Sequence, residues 1–220
     1  DNAKASTEVA THMVESLGDA GQVVVIAHDS KSLTSQERVN NFIAEIQNNH
    51  PNMSVAGPYY MDQIDDIKKT IAEQQLDIVP VEGQELDEEQ QTALNDAIAQ
   101  ITDEDIYNYI LEMNPDVKGI FATNGDTTMQ ALTACEGKDM KDVVIMGYDA
   151  DQEEIDAMKD GRIAGMIVQN PYGMGYATVV AEARCALNMG NEANVNTGYT
   201  WVTPDNIEDR TVQDILYAEK

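Results

Sequence analysis

Gly119-Ile120-Phe121-Ala122-Thr123-Asn124-Gly125 reads as a short buried strand that runs into a polar Asn and then a Gly. Its residues are apolar and β-permissive, and a helical pattern begins just after it, at Thr127. The same grammar recurs in Val23-Val24-Val25-Ile26-Ala27-His28-Asp29, in Val143-Val144-Ile145-Met146-Gly147-Tyr148-Asp149 and in Ala164-Gly165-Met166-Ile167-Val168-Gln169-Asn170. Apolar runs that each end in a hydrogen-bonding side chain predict one sheet with its polar residues gathered along one edge. Ligands of open parallel sheets bind at the carboxyl ends of the strands. That edge is the candidate site.

Working outward, residues 4–17 place Ala5, Val9, Ala10, Met13, Val14 and Leu17 at helical spacing, and Gly18 stops them. Strand 22–27 follows, then a polar loop, a helix over about 35–49 with Val39, Phe42, Ile43 and Ile46 on one face, and a short strand over 53–56. Between 63 and 103 the pattern is looser. Ile64, Ile67, Ile71 and Leu76 predict a helix, Ile78-Val79-Pro80-Val81 an extended piece, and Leu86 to Ile101 an acidic helix. A helix over 105–113 ends at Asn114-Pro115, before strand 117–123. Helix 127–136, strand 142–148, helix 153–159 and strand 163–168 come next. Beyond Pro171 the spacing predicts a long helix to Leu187, a strand over 196–202 and a short helix from Pro204-Asp205-Asn206. Alternation of this kind predicts an α/β fold, three layers (αβα) around a mostly parallel sheet.

The 220 residues carry 40 acidic against 13 basic side chains, a formal charge of -27. Such a surface repels phosphate backbones and anionic lipid, so nucleic acid is not an expected partner. The plain reading of the charge is solubility. Hydrophobic content of 42% supports a packed core. Cys135 and Cys185 fall on different helices without CxxC spacing and are expected to be two buried free thiols. The chain opens on Asp1 in mid-pattern, as a processed or truncated product would.

Arg38, Asn124, Asp149 and Gln169 are the candidate ligand-binding residues. They offer a guanidinium, two amides and a carboxylate, groups that suit adjacent hydroxyls; a single basic side chain favours a neutral polyol over an anion. Taken singly, an Asn or Asp after a strand also serves as a helix cap or turn residue.

Other chemistries lack their residues. Gly173-Met174-Gly175 has Thr178 where a dinucleotide fingerprint needs its third Gly, and no GxxxxGK[ST] is present. His12, His28 and His50 lie in separate elements without metal-ligand spacing, and Ser35 and the cysteines have no evident His partner. No catalytic residue, metal or cofactor is therefore assigned, and no enzyme is expected. The 11 methionines read as core filling, and Tyr59-Tyr60 as partly buried strand-end residues.

Several stretches occur in a telling order: Asp1-Asn2, Thr34-Ser35-Gln36-Glu37-Arg38 with Phe42, Asn114-Pro115-Asp116-Val117-Lys118 running into the opening stretch, Val144 to Asp149, Asp160-Gly161, and Val168-Gln169-Asn170-Pro171-Tyr172-Gly173-Met174-Gly175. Together they resemble the ribose-binding-protein and lac-repressor-like family of type 1 periplasmic binding proteins, over nearly the whole chain except about 74–103. The resemblance implies two α/β lobes that close on a sugar, with Arg38, Asn124, Asp149 and Gln169 at positions where the second lobe bonds sugar hydroxyls. Met61 and Asp62 fall near a further cleft position.

The chain departs from that pattern in two ways. It begins where the first crossover normally enters the second lobe, so about a hundred residues of the first lobe are expected to be absent. On that reading 1–170 form the second (C-terminal) lobe, 171–203 a return segment normally belonging to the other lobe, and 204–220 a hinge and helix. The Tyr172–Leu187 helix then lacks its packing partner and is expected to be mobile, swapped between chains or covered in a homo-oligomer. The acidic segment 74–103 is an insertion. The function implied is the extracellular or periplasmic sugar-binding component (a cell-surface lipoprotein being one form) of an ABC-type uptake or chemosensing system, with a membrane permease or sensor as partner. The alternative is the effector-binding domain of a lac-repressor-like transcription regulator. The part carried by this chain alone is expected to bind sugars weakly or not at all.

Overall fold

The computed structural model describes residues 1–79, 86–192 and 194–217. In chain order the elements are α1 (Asn2–Leu17), β1 (Gly21–Ala27), α2 (Leu33–Asn49), β2 (Met53–Tyr60), α3 (Asp65–Gln75), α4 (Glu88–Gln100), α5 (Asp103–Met113), β3 (Val117–Ala122), α6 (Gly125–Gly137), β4 (Val144–Tyr148), α7 (Gln152–Lys159), β5 (Gly165–Gln169), α8 (Pro171–Ala186), β6 (Tyr199–Val202) and α9 (Arg210–Gln213). One six-stranded sheet has the order β2-β1-β3-β4-β5-β6. The first five strands pair in parallel, and β6 closes the edge antiparallel to β5.

Helices cover both faces, which is why Val23 to Ala27 form an unbroken apolar run instead of alternating with polar residues. Val23, Val25, Phe121 and Tyr148 face α1 and α2, where they meet Met13, Val39 and Phe42. Val24, Ile26, Ile120 and Ile145 face the other layer, where they meet Ile106, Ile110, Leu132 and Ile155. Phe42 stacks on Phe121 at 4.2 Å between ring centroids. The expected three-layer α/β architecture is present.

Part of the acidic excess has a local structural task. Asp87 with Gln90, Thr102 with Asp105, and Asp151 with Glu154 form reciprocal capping boxes at the starts of α4, α5 and α7. Each satisfies helix N–H groups that have no partner inside the helix. Acidic residues in the first turns also complement the helix dipole.

Four expectations need correction. Ile78 and Val79 are not in a strand, and Pro80 and Val81 lie outside the described residues. The strand expected from 196 begins only at Tyr199, because Asn196 accepts from the Gly198 N–H and Gly198 takes φ +75°, a turn. No helix starts at Pro204; the Asn206 side chain instead ties the Thr203 N–H to the Trp201 carbonyl, a side-chain turn that competes with helix, and α9 waits until Arg210. Cys135 is buried as expected, but Cys185 is exposed, since no residue of α8 is buried. Tyr172, Tyr176 and Val179 on that helix are likewise open to solvent. The 74–103 segment comprises the end of α3 and all of α4, which lies against α3 and buries only Leu94.

Candidate functional site

The strand order places β1 beside both β2 and β3, while α2, which follows β1, and α6, which follows β3, lie on opposite faces. Successive connections leaving on opposite faces open a crevice at the carboxyl ends of β1 and β3. His28 stands at one lip, Thr123 and Asn124 at the other. The His28 N–H donates to Thr123 Oγ1 at 3.0 Å, and His28 Nδ1 lies 2.7 Å from the same oxygen. Burial holds the His28 pKa below its ordinary value, with Asp29 opposing and Arg38 reinforcing that shift.

Arg38 reaches this edge from α2 and is only 5% exposed. Its Nη1 donates to the Thr123 carbonyl, its Nε donates to Asn2 Oδ1 at 3.3 Å, and its guanidinium sits 3.9 Å from the centre of the Tyr148 ring. Tyr148 is fully buried, with its hydroxyl 2.7 Å from Ser6 Oγ. Burial pushes the Tyr148 pKa up to about 12, so the ring that carries the Arg38 cation is neutral. Burial also lowers the Arg38 pKa, opposed by Tyr148 and Asp149; guanidinium nonetheless stays charged. The other terminal nitrogen, Nη2, has no hydrogen-bond partner among the described residues, so one prong of the fork remains for a ligand.

Asn124 caps a helix with its oxygen and leaves its nitrogen unspent among the described residues. Its Oδ1 caps α6, accepting from the Thr127 N–H at 3.1 Å and from Thr127 Oγ1 at 2.7 Å. Its Nδ2 has no partner among the described residues and can donate to a hydroxyl. Asp149 takes φ +78°, a left-handed backbone that Asp tolerates better than most residues. Its Oδ2 accepts from the Gly125 N–H at 3.0 Å, and its Oδ1 has no hydrogen-bond partner among the described residues. Gln169 closes β5 one strand further along, half-buried and with its amide unpaired among the described residues.

Residues 123–125 thus join Arg38, Asn124 and Asp149, and Gln169 occupies the same edge. Together they present amide and guanidinium donors beside a carboxylate acceptor. Vicinal hydroxyls, which both donate and accept, match that set.

Three further groups escape a reading by strand ends. Tyr217 arrives from the C-terminal tail, its N–H donating to the Ala150 carbonyl at 3.0 Å. Its phenol lies within the fields of Asp149, Glu154 and Arg38, and burial pushes its pKa up to about 12. No local pattern links position 217 to this edge. Tyr148 stands in Gly147-Tyr148-Asp149, a pattern that by itself predicts only strand. Glu154, in the first turn of α7, is fully buried behind the site. Its Oε2 accepts from the Asp151 N–H at 3.1 Å, while its Oε1 has no partner among the described residues. Burial, reinforced by Asp151, Asp149 and Asp126, pushes its pKa up to about 8. The carboxyl lies so close to Gly125 that a Cβ there would come within 3.1 Å of it.

Met61 and Asp62 occupy the loop after β2. Asp62 accepts from the Ser30 N–H at 2.8 Å and from Ser30 Oγ at 2.9 Å, pinning the loop after β1. Among the described residues no group of three His, Cys, Asp or Glu side chains could hold a metal ion. No described helix is long and apolar enough to cross a membrane.

A family profile described as "Periplasmic binding protein domain" matches residues 1–186. Among curated proteins, the ribose import binding protein RbsB of Salmonella typhimurium is 35% identical over 66 residues, 30% of this chain and 22% of that protein. The RbsB of Haemophilus influenzae is 35% identical over 71 residues, 32% of this chain and 24% of that protein. Among solved structures, an ABC transporter solute binding protein from Agrobacterium vitis with bound D-fucose superposes with a TM-score of 0.74 at 23% identity. That match covers 99% of this chain and 63% of that one. AraP, an arabinose binding protein from Geobacillus stearothermophilus, gives 0.67 at 23% identity, covering 94% of this chain and 62% of its own. The chain therefore spans less than two thirds of each of these relatives.

Proposed function

This chain belongs to the periplasmic binding protein domain family, and from that premise we propose that it is the sugar-binding part of an ABC-type uptake or chemosensing system. The ligand is a monosaccharide or similar polyol, held at the carboxyl edge of the sheet. The observation that carries the reading is the convergence of unspent polar groups there: Arg38 Nη2, Asn124 Nδ2, Asp149 Oδ1 and the Gln169 amide. Asp149 would accept from two adjacent hydroxyls, Arg38 and Asn124 would donate to the ring oxygen or a hydroxyl, and Gln169 would complete the set beside the hinge. The relatives reported above are import and solute binding proteins, which favours uptake over the repressor-like alternative. On the same ground the chain binds rather than catalyses, works outside the cytoplasmic membrane, and hands its ligand to a permease or sensor.

We further propose that residues 1–170 act as one lobe and 171–203 as a segment that joins a second lobe, with closure of the two around the sugar shifting an open population to a closed one. Supporting this, α8 buries no residue of its own, and more than a third of each matched structure's own length lies outside the part it shares with this chain. A single lobe supplies only part of the contact surface, so the 220-residue chain should bind a monosaccharide with a dissociation constant of about 1 mM or weaker. Titrating the 15N-labelled chain with D-ribose and D-fucose tests both statements. Shifts confined to the amides of residues 123–125, 149 and 169 support the site. Shifts elsewhere only would overturn it, and a constant near about 1 μM would overturn the two-lobe account.

A further inference from the structure

A cavity of about 430 Å³ adjoins the proposed sugar site at the β1–β3 crevice, lined among others by His28, Met61, Asp103, Tyr107, Asn124 and Asp126. It is continuous with the site, because Asn124 belongs to both and Gly125 is bonded to Asp149. Two observations point to a ligand group there. Tyr107 is 4% exposed, yet its hydroxyl has no hydrogen-bond partner among the described residues. Its oxygen is also not sealed off from solvent as an orphaned buried atom would be, and the residue lines the cavity. A phenol buried to this degree normally finds a partner. The second observation is the field. Asp103 and Asp126 both act on Tyr107, and the lining holds no Lys or Arg. His28 offers no compensating charge, because burial favours its neutral form.

The two aspartates alone would mean little, since each lies in the first turn of a helix, where acids are at home. With the unpartnered phenol in the same lining they form a pocket rich in acceptors and lacking a cation. Anionic substituents such as carboxylate or phosphate are repelled. A bare metal ion is not the match either: the described residues gather no three-ligand set, and the cavity far exceeds an ion's size. An ammonium on an organic ligand fits both the charge and the room.

We propose that this cavity is a subsite for an amino substituent, so that the preferred ligand is an aminated sugar and not its neutral parent. Asp103 and Asp126 carry the charge complementarity, Tyr107 accepts one N–H, and Met61 supplies an apolar wall. The inference rests on the sugar-binding reading above and adds ligand class to it. It also gives the acidic insertion a consequence, for Asp103 stands where that segment meets α5.

The test is a 15N titration of the same chain with D-glucose and D-glucosamine at neutral pH, repeated for D103N/D126N and for Tyr107→Phe. The expected result is a preference for glucosamine of about tenfold, falling as salt is added, with amides 103, 107 and 126 responding to the amino sugar alone. D103N/D126N should abolish the preference while leaving the glucose constant within about twofold, and Tyr107→Phe should reduce it. Far-UV circular dichroism checks that each variant is folded; should the double variant unfold, the wild-type salt dependence and Tyr107→Phe still decide. Glucose binding without any preference, or a preference that survives D103N/D126N, overturns the subsite alone. Absence of any amide shift with either sugar even at about 100 mM, far above the expected constant, overturns the sugar reading and the subsite with it.

Discussion

Replacing Asp149 separates what that residue does for the fold from what it does for a ligand. Its Oδ2 accepts from the Gly125 N–H at 3.0 Å, and its backbone sits at φ +78°. Asp149→Ala loses that hydrogen bond, worth about 1–2 kcal/mol, and places an alanine in the left-handed region, costing about 1–2 kcal/mol more. Asp149→Gly loses the same bond but escapes the backbone strain, offset by about 0.5–1 kcal/mol of extra unfolded-state entropy. Asp149→Asn keeps an acceptor and tolerates the backbone. The expected order of stability is therefore wild type, Asn, Gly, Ala, with Asn within about 1 kcal/mol of wild type and Ala lower by about 2–4 kcal/mol. Urea unfolding followed by Trp201 fluorescence and circular dichroism measures the order. All three should remain folded in water, whereas Asp149→Ala and Asp149→Gly should lose sugar-induced shifts, because charge-assisted bonds to two hydroxyls are worth about 1.5–3 kcal/mol each. A glycine variant less stable than the alanine variant would refute the backbone argument. Undiminished sugar response in Asp149→Ala would remove the residue from the site.

Three other perturbations probe the frame around it. Glu154 holds its proton in the folded state to about pH 8, while in the unfolded chain it ionises near its ordinary value of 4.5. Its contribution is full below that lower value and is lost as pH rises toward 8, at up to about 1.4 kcal/mol per pH unit; Glu154→Gln should flatten this part of the stability profile, and an unchanged slope would contradict the assignment. Arg38→Lys keeps the charge but loses the planar fork on the Thr123 carbonyl and the stack on Tyr148, and should lower stability by about 1–3 kcal/mol in urea titrations. On α8, Tyr176→Ser and Val179→Ala should each change stability by less than about 0.5 kcal/mol, and the helix should exchange its amide hydrogens faster than α1 or α6, since none of its residues is buried.

What could be read beforehand follows from how local each determinant is. The buried strands were legible because burial on both faces imposes continuous apolar runs, as in Val23 to Ala27, and because Asn124 and Asp149 sit immediately beyond such runs. The end of the chain was less legible because side-chain turns compete with helix there: Asn206 spends its amide on Thr203 and Trp201. Cys185 reads as core by spacing, yet whether a helix face is buried depends on what lies opposite it, which no local pattern records. The site divides the same way. Its strand-end candidates are legible from their positions just beyond apolar runs, while Tyr217 and the Arg38 platform on Tyr148 depend on contacts between residues far apart in sequence. Asn124 shows that cap and ligand donor are compatible roles, for its oxygen serves one and its nitrogen is left for the other.

The most direct test of the account is a crystal structure of the protein with D-ribose or D-glucosamine bound. The account predicts a sugar at the carboxyl edge of β1, β3, β4 and β5, with hydroxyls within hydrogen-bond reach, about 2.6–3.2 Å, of Asp149 Oδ1, Arg38 Nη2, Asn124 Nδ2 and the Gln169 amide. A sugar seated instead in the cavity at the opposite end of the sheet, among Cys135, Met140 and Arg162, would contradict it.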